Sequence, residues 1–203
     1  ERLSRLDWTD AERQSLLAAM AKTGVKIRSM CLSGHRKYPI GSEDGATRRR
    51  GMEIMEKAIH LADDLGIRTV QLAGYDVYYG KSTAGSKELF CRNLQDAVNM
   101  ASSAGILLGF ETMETEFMNT VWKAMYYVTG VSSPYLGVYP DVGNLTNAAL
   151  SSGGDVSGDL MSGRGHIVAV HLKPTKPGLF RNVSFDDPDQ HVDFEAAIGI
   201  SWR

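Results

Sequence analysis

Three strand-like runs in the second half of the chain, ILLGFET (106–112), YLGVYPDVG (135–143) and HIVAVHLK (166–173), each carry a polar residue near their carboxyl end. Those residues, Glu111, Asp141 and His171, are separated by 30 residues and again by 30, the length of one strand–helix unit. A chain that repeats such a unit is constrained to a parallel sheet covered by helices, because parallel neighbours need a crossover of a dozen or more residues. The even spacing also predicts that the three side chains sit at equivalent heights on one edge of that sheet.

The same alternation runs through the first half. LDWTDAERQSLLAAMAKTG (6–24) reads as a helix, with a capping box in Thr9 and Glu12, apolar Leu16, Leu17, Met20 and Ala21, and Gly24 to end it. Glu1 is expected to be already entering helical structure. VKIRSMCLSG (25–34) is strand-like and leads into the polar loop HRKYPIGSEDG (35–45). From Ala46 to Gly66, the apolar Met52, Ile54, Met55, Ala58, Ile59, Ala62 and Leu65 recur at helical spacing, before the strand TVQLAG (69–74) and a tyrosine-rich loop. Further helices are expected over 86–104, ending at Gly105, over 119–130, ending at Gly130, and in a Gly- and Ser-rich stretch near 153–164. Five strand-like runs therefore alternate with helices, each rich enough in Val, Ile and Leu to be buried on both faces: an α/β chain. No linker or low-complexity tract divides residues 1–203, which read as a single domain.

Composition narrows the function. A net charge of −2 gives no electrostatic footprint for nucleic acid, and no apolar run reaches the roughly 18 residues of a membrane span. Small-molecule chemistry is what remains. Cys31 and Cys91 sit in strand-like and helical runs and no charged leader with an apolar core stands at the amino end, so both thiols are read as reduced and the protein as cytoplasmic. In that compartment the sequons at Asn144 and Asn182 carry no meaning.

In a parallel barrel, catalytic side chains from neighbouring strands converge at the carboxyl rim. Any one of Glu111, Asp141 and His171 alone reads as a helix cap, a solvated rim residue or a core histidine. In phase, the three form a donor set suited to a divalent Zn, Mn, Co or Mg ion. GYDVYYGKST (74–83) looks like a phosphate-binding loop, but five residues separate its glycines where the nucleotide motif requires four. Tyr75, Asp76, Tyr78 and Tyr79 are read instead as a substrate-side rim loop or as packing.

ERLSRLDW, MCLSGHRKYPIGSED, GMEIMEKAI, QLAGYDVYY, YPDVGNL, GHIVAVHLKPTKPG and FRNV together resemble the xylose-isomerase-like TIM barrels, and within them the L-xylulose-5-phosphate 3-epimerase (hexulose-6-phosphate isomerase-like) family. The likeness covers most of the chain and fades in EAAIGISWR (195–203). It implies a (β/α)8 barrel, of which five strands are visible, with about two strands lacking at the front and one at the back. It implies that Glu111, Asp141 and His171 bind a divalent metal, that Glu111 doubles as the catalytic acid/base, and that Asn144 contacts substrate. Two departures stand out: Pro174 replaces the Asp that family members carry after H-x-K, and the fourth carboxylate the family takes from its last strand has no counterpart here.

The implied reaction is metal-dependent C3 epimerisation of L-xylulose 5-phosphate to L-ribulose 5-phosphate through an enediolate, within L-ascorbate degradation. Cationic candidates for the phosphate are His35, Arg36 and Lys37 early in the chain and Lys173, Lys176 and Arg181 late, with His35, Asn144, Lys173 and Lys176 taken as the substrate-binding set. The expected partner is a small-molecule sugar phosphate, with no nucleic acid and no membrane, and a homodimer is left open. The alternatives are an aldose–ketose isomerase on the same metal site, a metal-dependent endonuclease, which the charge and the five histidines argue against, and an inactive truncated remnant.

Overall fold

The computed structural model describes residues 2–201, so the expectation for Glu1 lies outside the described residues. The chain is α/β and divides into two compact units, Glu1–Leu108 and Gly109–Arg203.

In the first unit, a 3-10 turn (Arg2–Asp7) precedes helix α1 (Asp10–Thr23). Thr9 and Glu12 form the expected capping box, and Gly24 ends the helix in the left-handed conformation at φ 70°. Strand β1 (Ser29–Cys31) leads through a second 3-10 turn (Ser33–Arg36) to helix α2 (Gly45–Asp64), which Asp44 caps by accepting from the Thr47 N–H. Helix α2 buries Ile54, Met55, Ala58, Ile59 and Ala62, the stripe its periodicity predicts. Strand β2 (Thr69–Ala73) pairs with β1 in parallel, with Met30 opposite Val70. Helix α3 (Ala84–Ser103), capped by Thr83, buries Phe90, Leu94, Ala97 and Val98. Strand β3 (Leu107–Glu111) begins where the Leu107 N–H donates to the Arg68 carbonyl at 2.8 Å.

The second unit takes up β3 at Gly109. Helix α4 (Val121–Val131) runs through Gly130, one residue past its expected end, and stops at Ser132, which adopts the left-handed conformation and donates to Val128. Pro134, two residues further on, cannot extend the helix. Strand β4 (Leu136–Tyr139) is followed by helix α5 (Val142–Ser152), which begins inside the strand-like run 135–143, then by α6 (Val156–Ser162) and α7 (Phe194–Ser201), which packs on α6. Phe110, Met118, Ala124, Leu136, Val138, Val142, Leu145 and Leu160 are its buried core.

Among the described residues there are four strands, not five. HIVAVHLK runs parallel to β4 through two isolated bridges only, Val138 with Ile167 and Asp141 with His171. The Val138 N–H donates to His166 at 2.8 Å and the Val168 N–H to Val138 at 2.9 Å. The next donor along β4 is residue 140, a proline without an N–H, and the ladder stops there. It resumes where the His171 N–H donates to Pro140 at 2.8 Å and the Val142 N–H to His171 at 3.1 Å. Paired residues are 29 apart in the first bridge and 30 in the second, so one extra residue is absorbed as in a β-bulge. Because extended side chains alternate faces, that extra residue puts His171, rather than Val170, opposite Asp141.

Gly137 lets this segment approach. A Cβ there would lie 2.5 Å from the His166 carbonyl oxygen and 2.6 Å from Val168 Cγ1. Gly137→Ala is expected to destabilise the protein by about 1–3 kcal/mol, the usual cost of overpacking. Gly199→Ala, on α7 with open space around it, should instead gain roughly 0.5–1 kcal/mol of helix stability. Urea unfolding midpoints of the two variants should move in opposite directions.

Candidate metal centre

Glu111 ends β3, Asp141 follows β4 and His171 lies across the second bridge, all in the second unit. His171 Nδ1 stands 3.0 Å from Asp141 Oδ2 and 3.1 Å from Glu111 Oε1, and one donor atom from each residue falls within 4.8 Å of the others. The side chains are graded in exposure, 45% for His171, 15% for Glu111 and 1% for Asp141, so the cluster opens to solvent on the imidazole side.

Asp141 is also the N-cap of α5. Its Oδ1 accepts the Asn144 N–H at 2.9 Å while Oδ2 faces His171 and the Lys173 ammonium, 2.8 Å away. The helix-cap reading and the ligand reading of this residue thus describe two oxygens of one carboxylate. Burial raises the Asp141 carboxyl, but hydrogen bonds from His171 and the charge and hydrogen bond of Lys173 outweigh it and hold the group below its usual range. Hydrogen bonding to Asp141 first, and to Glu111 second, lifts the His171 imidazole from 6.5 to about 9 against the opposing effect of burial.

Two residues that the sequence reading did not single out hold this arrangement. Thr112, fully buried, accepts the Asp141 N–H through Oγ1 at 2.9 Å, and its carbonyl accepts Asn144 Nδ2 at 2.8 Å. Asn147 anchors the segment beyond Lys173 through Thr175, Gly178 and Leu179. Their signal was available as a polar residue next to Glu111 and as the D-x-x-N-x-x-N spacing from Asp141.

The expected substrate-binding residues are placed differently from one another. Lys173 Nζ donates to Asn144 Oδ1 at 2.7 Å, so both stand beside the three-donor cluster. Lys176 pairs with Asp187 at 2.7 Å, and Arg181 lies 3.9 Å from Glu114. In the first unit, Arg36 stacks over the Tyr78 ring at 4.4 Å and Lys37 over Tyr38 at 5.3 Å. The tyrosine loop there is organised by buried Asp76, which accepts from the Val77 N–H and from the Ser82 and Ser86 hydroxyls. An apolar groove of about 520 Å³ in the same unit, lined by Leu3, Leu6, Trp8, Leu16, Ile27 and Met30 among others, carries no comparable donor set.

The family model for the xylose isomerase-like TIM barrel matches residues 1–200. The chain belongs to this family. It is 49% identical over 195 residues to L-ribulose-5-phosphate 3-epimerase UlaE of Salmonella heidelberg (strain SL476), and equally to the protein of that name from Escherichia coli O139:H28 (strain E24377A / ETEC). Those alignments cover 96% of this chain, which spans 66% of the length of these relatives. Among solved structures it is similar to D-psicose 3-epimerase in the presence of D-fructose, with a TM-score of 0.78 and 17% identity over 98% of this chain and 68% of that one. It is similar too to an L-ribulose 3-epimerase, with a TM-score of 0.73 and 22% identity over 93% of this chain and 63% of the other. These structural matches concern the fold.

His35 is buried, 4% exposed, and its Nε2 meets the Gly51 carbonyl at 3.0 Å, so Nε2 is the protonated, donating nitrogen of a neutral ring. Burial drives its pKa down to about 4, and the Gly51 bond recovers only part of the shift. The unfolded chain gains this proton near pH 6.5 and the folded chain only near 4, so folding stability is lost as pH falls through that window. The loss should reach on the order of 3 kcal/mol. Thermal denaturation between pH 7 and 4 is expected to show that slope in the native protein and a shallower one in His35→Gln, which keeps a donor for Gly51.

Proposed function

We propose that this protein serves metal-dependent C3 epimerisation of a phosphorylated ketopentose, L-xylulose 5-phosphate to L-ribulose 5-phosphate. The observation that carries the reading is the meeting of Glu111, Asp141 and His171 within 4.8 Å. The 49% identity to L-ribulose-5-phosphate 3-epimerases supports the substrate class.

The donor set fits a divalent ion: two carboxylates and an imidazole suit Zn, Mn, Co or Mg, and the solvent-facing side leaves room for substrate oxygens. Such an ion, when bound, supplies Lewis-acid polarisation of the sugar carbonyl. Glu111 removes the C3 proton, leaving the sugar as an enediolate; a proton taken up from solvent on the opposite face completes the inversion, and Glu111 releases its own to solvent. Asp141 holds its place through the cap of α5 and the Lys173 ammonium, so that it orients the site without moving a proton. Asn144 and Lys173 bind the substrate beside the cluster. His35 contributes as a neutral group through Nδ1, and Lys176 takes the phosphate on leaving Asp187. In this reading residues 1–203 are a single, partial barrel domain acting on sugar phosphates in the cytoplasm, with a homodimer as its assembly. No helix among the described residues is long and apolar enough to cross a membrane.

The test is deuterium incorporation at C3 of the ketopentose phosphate in D2O, measured beside bound metal. Glu111→Gln keeps the side-chain shape but loses the proton acceptor, and exchange is expected to fall by about 10²–10⁴-fold. Asp141→Asn and His171→Ala should lose metal first and recover in part with excess ion. Undiminished exchange in Glu111→Gln would overturn the acid/base role, and label appearing at C1 would make the protein an aldose–ketose isomerase.

A further inference from the structure

Helix α5 carries three polar residues at three-residue spacing, Asp141 at its cap, Asn144 and Asn147, which share one face. The segment after the bulge runs through His171, Lys173 and Thr175 at two-residue spacing, and these share one face of an extended chain. The two sets meet one to one. Asp141 Oδ2 faces His171 Nδ1 at 3.0 Å, Lys173 Nζ donates to Asn144 Oδ1 at 2.7 Å, and Asn147 Nδ2 donates to Thr175 Oγ1.

The last rung is the most completely bonded. Asn147 and Thr175 are buried, at 2% and 0% exposure. Asn147 Nδ2 also donates to the Leu179 carbonyl at 3.1 Å, and its Oδ1 accepts the Gly178 N–H at 2.8 Å. Thr175 Oγ1 donates to the same Leu179 carbonyl at 2.6 Å. The Leu179 N–H closes the turn on the Lys176 carbonyl at 2.8 Å, and one buried amide fastens that turn to α5. A buried amide is costly unless every bond is made, so its geometry fixes the segment more narrowly than an apolar contact of equal size would.

We propose that Asn147 is a positioning residue for the metal centre. By clamping the 175–179 turn to the helix that Asp141 caps, it sets where His171 and Lys173 lie against the Asp141 carboxylate, although its own hydrogen bonds go to Thr175, Gly178 and Leu179. The proposal rests on the reading of Glu111, Asp141 and His171 as ligands of a divalent ion. It extends that reading to a residue outside the donor set, since supporting hydrogen bonds orient ligands and their loss commonly weakens metal binding about 10–100-fold.

The experiment is Co2+ titration of the protein, read as affinity and as the visible ligand-field spectrum. Asn147→Leu and Thr175→Val are expected to bind Co2+ on the order of 10-fold more weakly and with altered bands. Asn147→Asp, which keeps the acceptor for the Gly178 N–H, should fall between them and the native protein. Thr146→Val is the control for general destabilisation, because the buried Thr146 hydroxyl bonds only within α5, to Val142 at 2.8 Å; its spectrum should match the native one. Native-like affinity and bands in Thr175→Val and Asn147→Asp would overturn the proposal even if Asn147→Leu failed to fold. An equal change in Thr146→Val would overturn it as well. Absence of Co2+ binding by the native protein would remove the metal reading itself, a failure separable from the first because it precedes any comparison of variants.

Discussion

The two oxygens of Asp141 organise the second unit. A carboxylate that is 1% exposed is tolerable only when its charge is paired and its lone pairs are used. Oδ1 takes the Asn144 N–H and so starts helix α5; Oδ2 takes Lys173 and His171 and so draws the 171–173 segment onto the end of β4. Shortening the side chain or neutralising it would disturb the helix axis and the donor cluster together. Thr112 holds the same point from the other side, accepting through Oγ1 the Asp141 N–H, which faces away from the 166–173 segment. Local capping, sheet register and site chemistry thus share one residue.

Pro140 decides how the neighbouring segment arrives. A regular ladder would have carried the 29-residue offset of the first bridge forward and paired Asp141 with Val170, an apolar side chain useless to an ion. Removing one N–H stops the ladder, and the residue absorbed at the gap shifts the offset to 30. Gly109 and Gly137 belong to the same device. A Cβ on either would meet Val168 within 3 Å, so the strand glycines are the space into which the bulged segment sinks.

This explains what the sequence made legible. The interval between Glu111, Asp141 and His171 survives because it counts residues along the chain, which the bulge obeys whether or not a regular strand forms. The α2 stripe and the Thr9 and Gly24 helix ends were readable because periodicity and capping are local. Helix α5 was not: VGNLTNAALSS has Gly, Asn, Thr and Ser where a helix former would be expected, and its polar face is polar because of contacts 28 to 32 residues away. Asn147 and Thr112 stood in view by their spacing, but their partners, 28 and 29 residues away, did not. A fifth strand was expected of HIVAVHLK from its apolar run and the repeated strand–helix unit, and the reason it fails lies in Pro140, just past the end of β4.

Charge completes the account. Two carboxylates, one of them buried, face an ammonium from Lys173 and an imidazole lifted to about 9, so near neutral pH the cluster balances two negative charges with two positive ones. Nδ1 is the nitrogen aimed at both carboxylates. That atom can hold a proton or donate a lone pair to an ion, never both, so an ion held through it would displace a proton. Lys173 is held by Asn144 as well as by Asp141, which places an ammonium beside the ligand set. A site with two carboxylates and a standing ammonium carries a smaller net negative charge than its ligands alone suggest. In the proposed function, an ion with less negative charge around it would be the better polariser of a carbonyl oxygen.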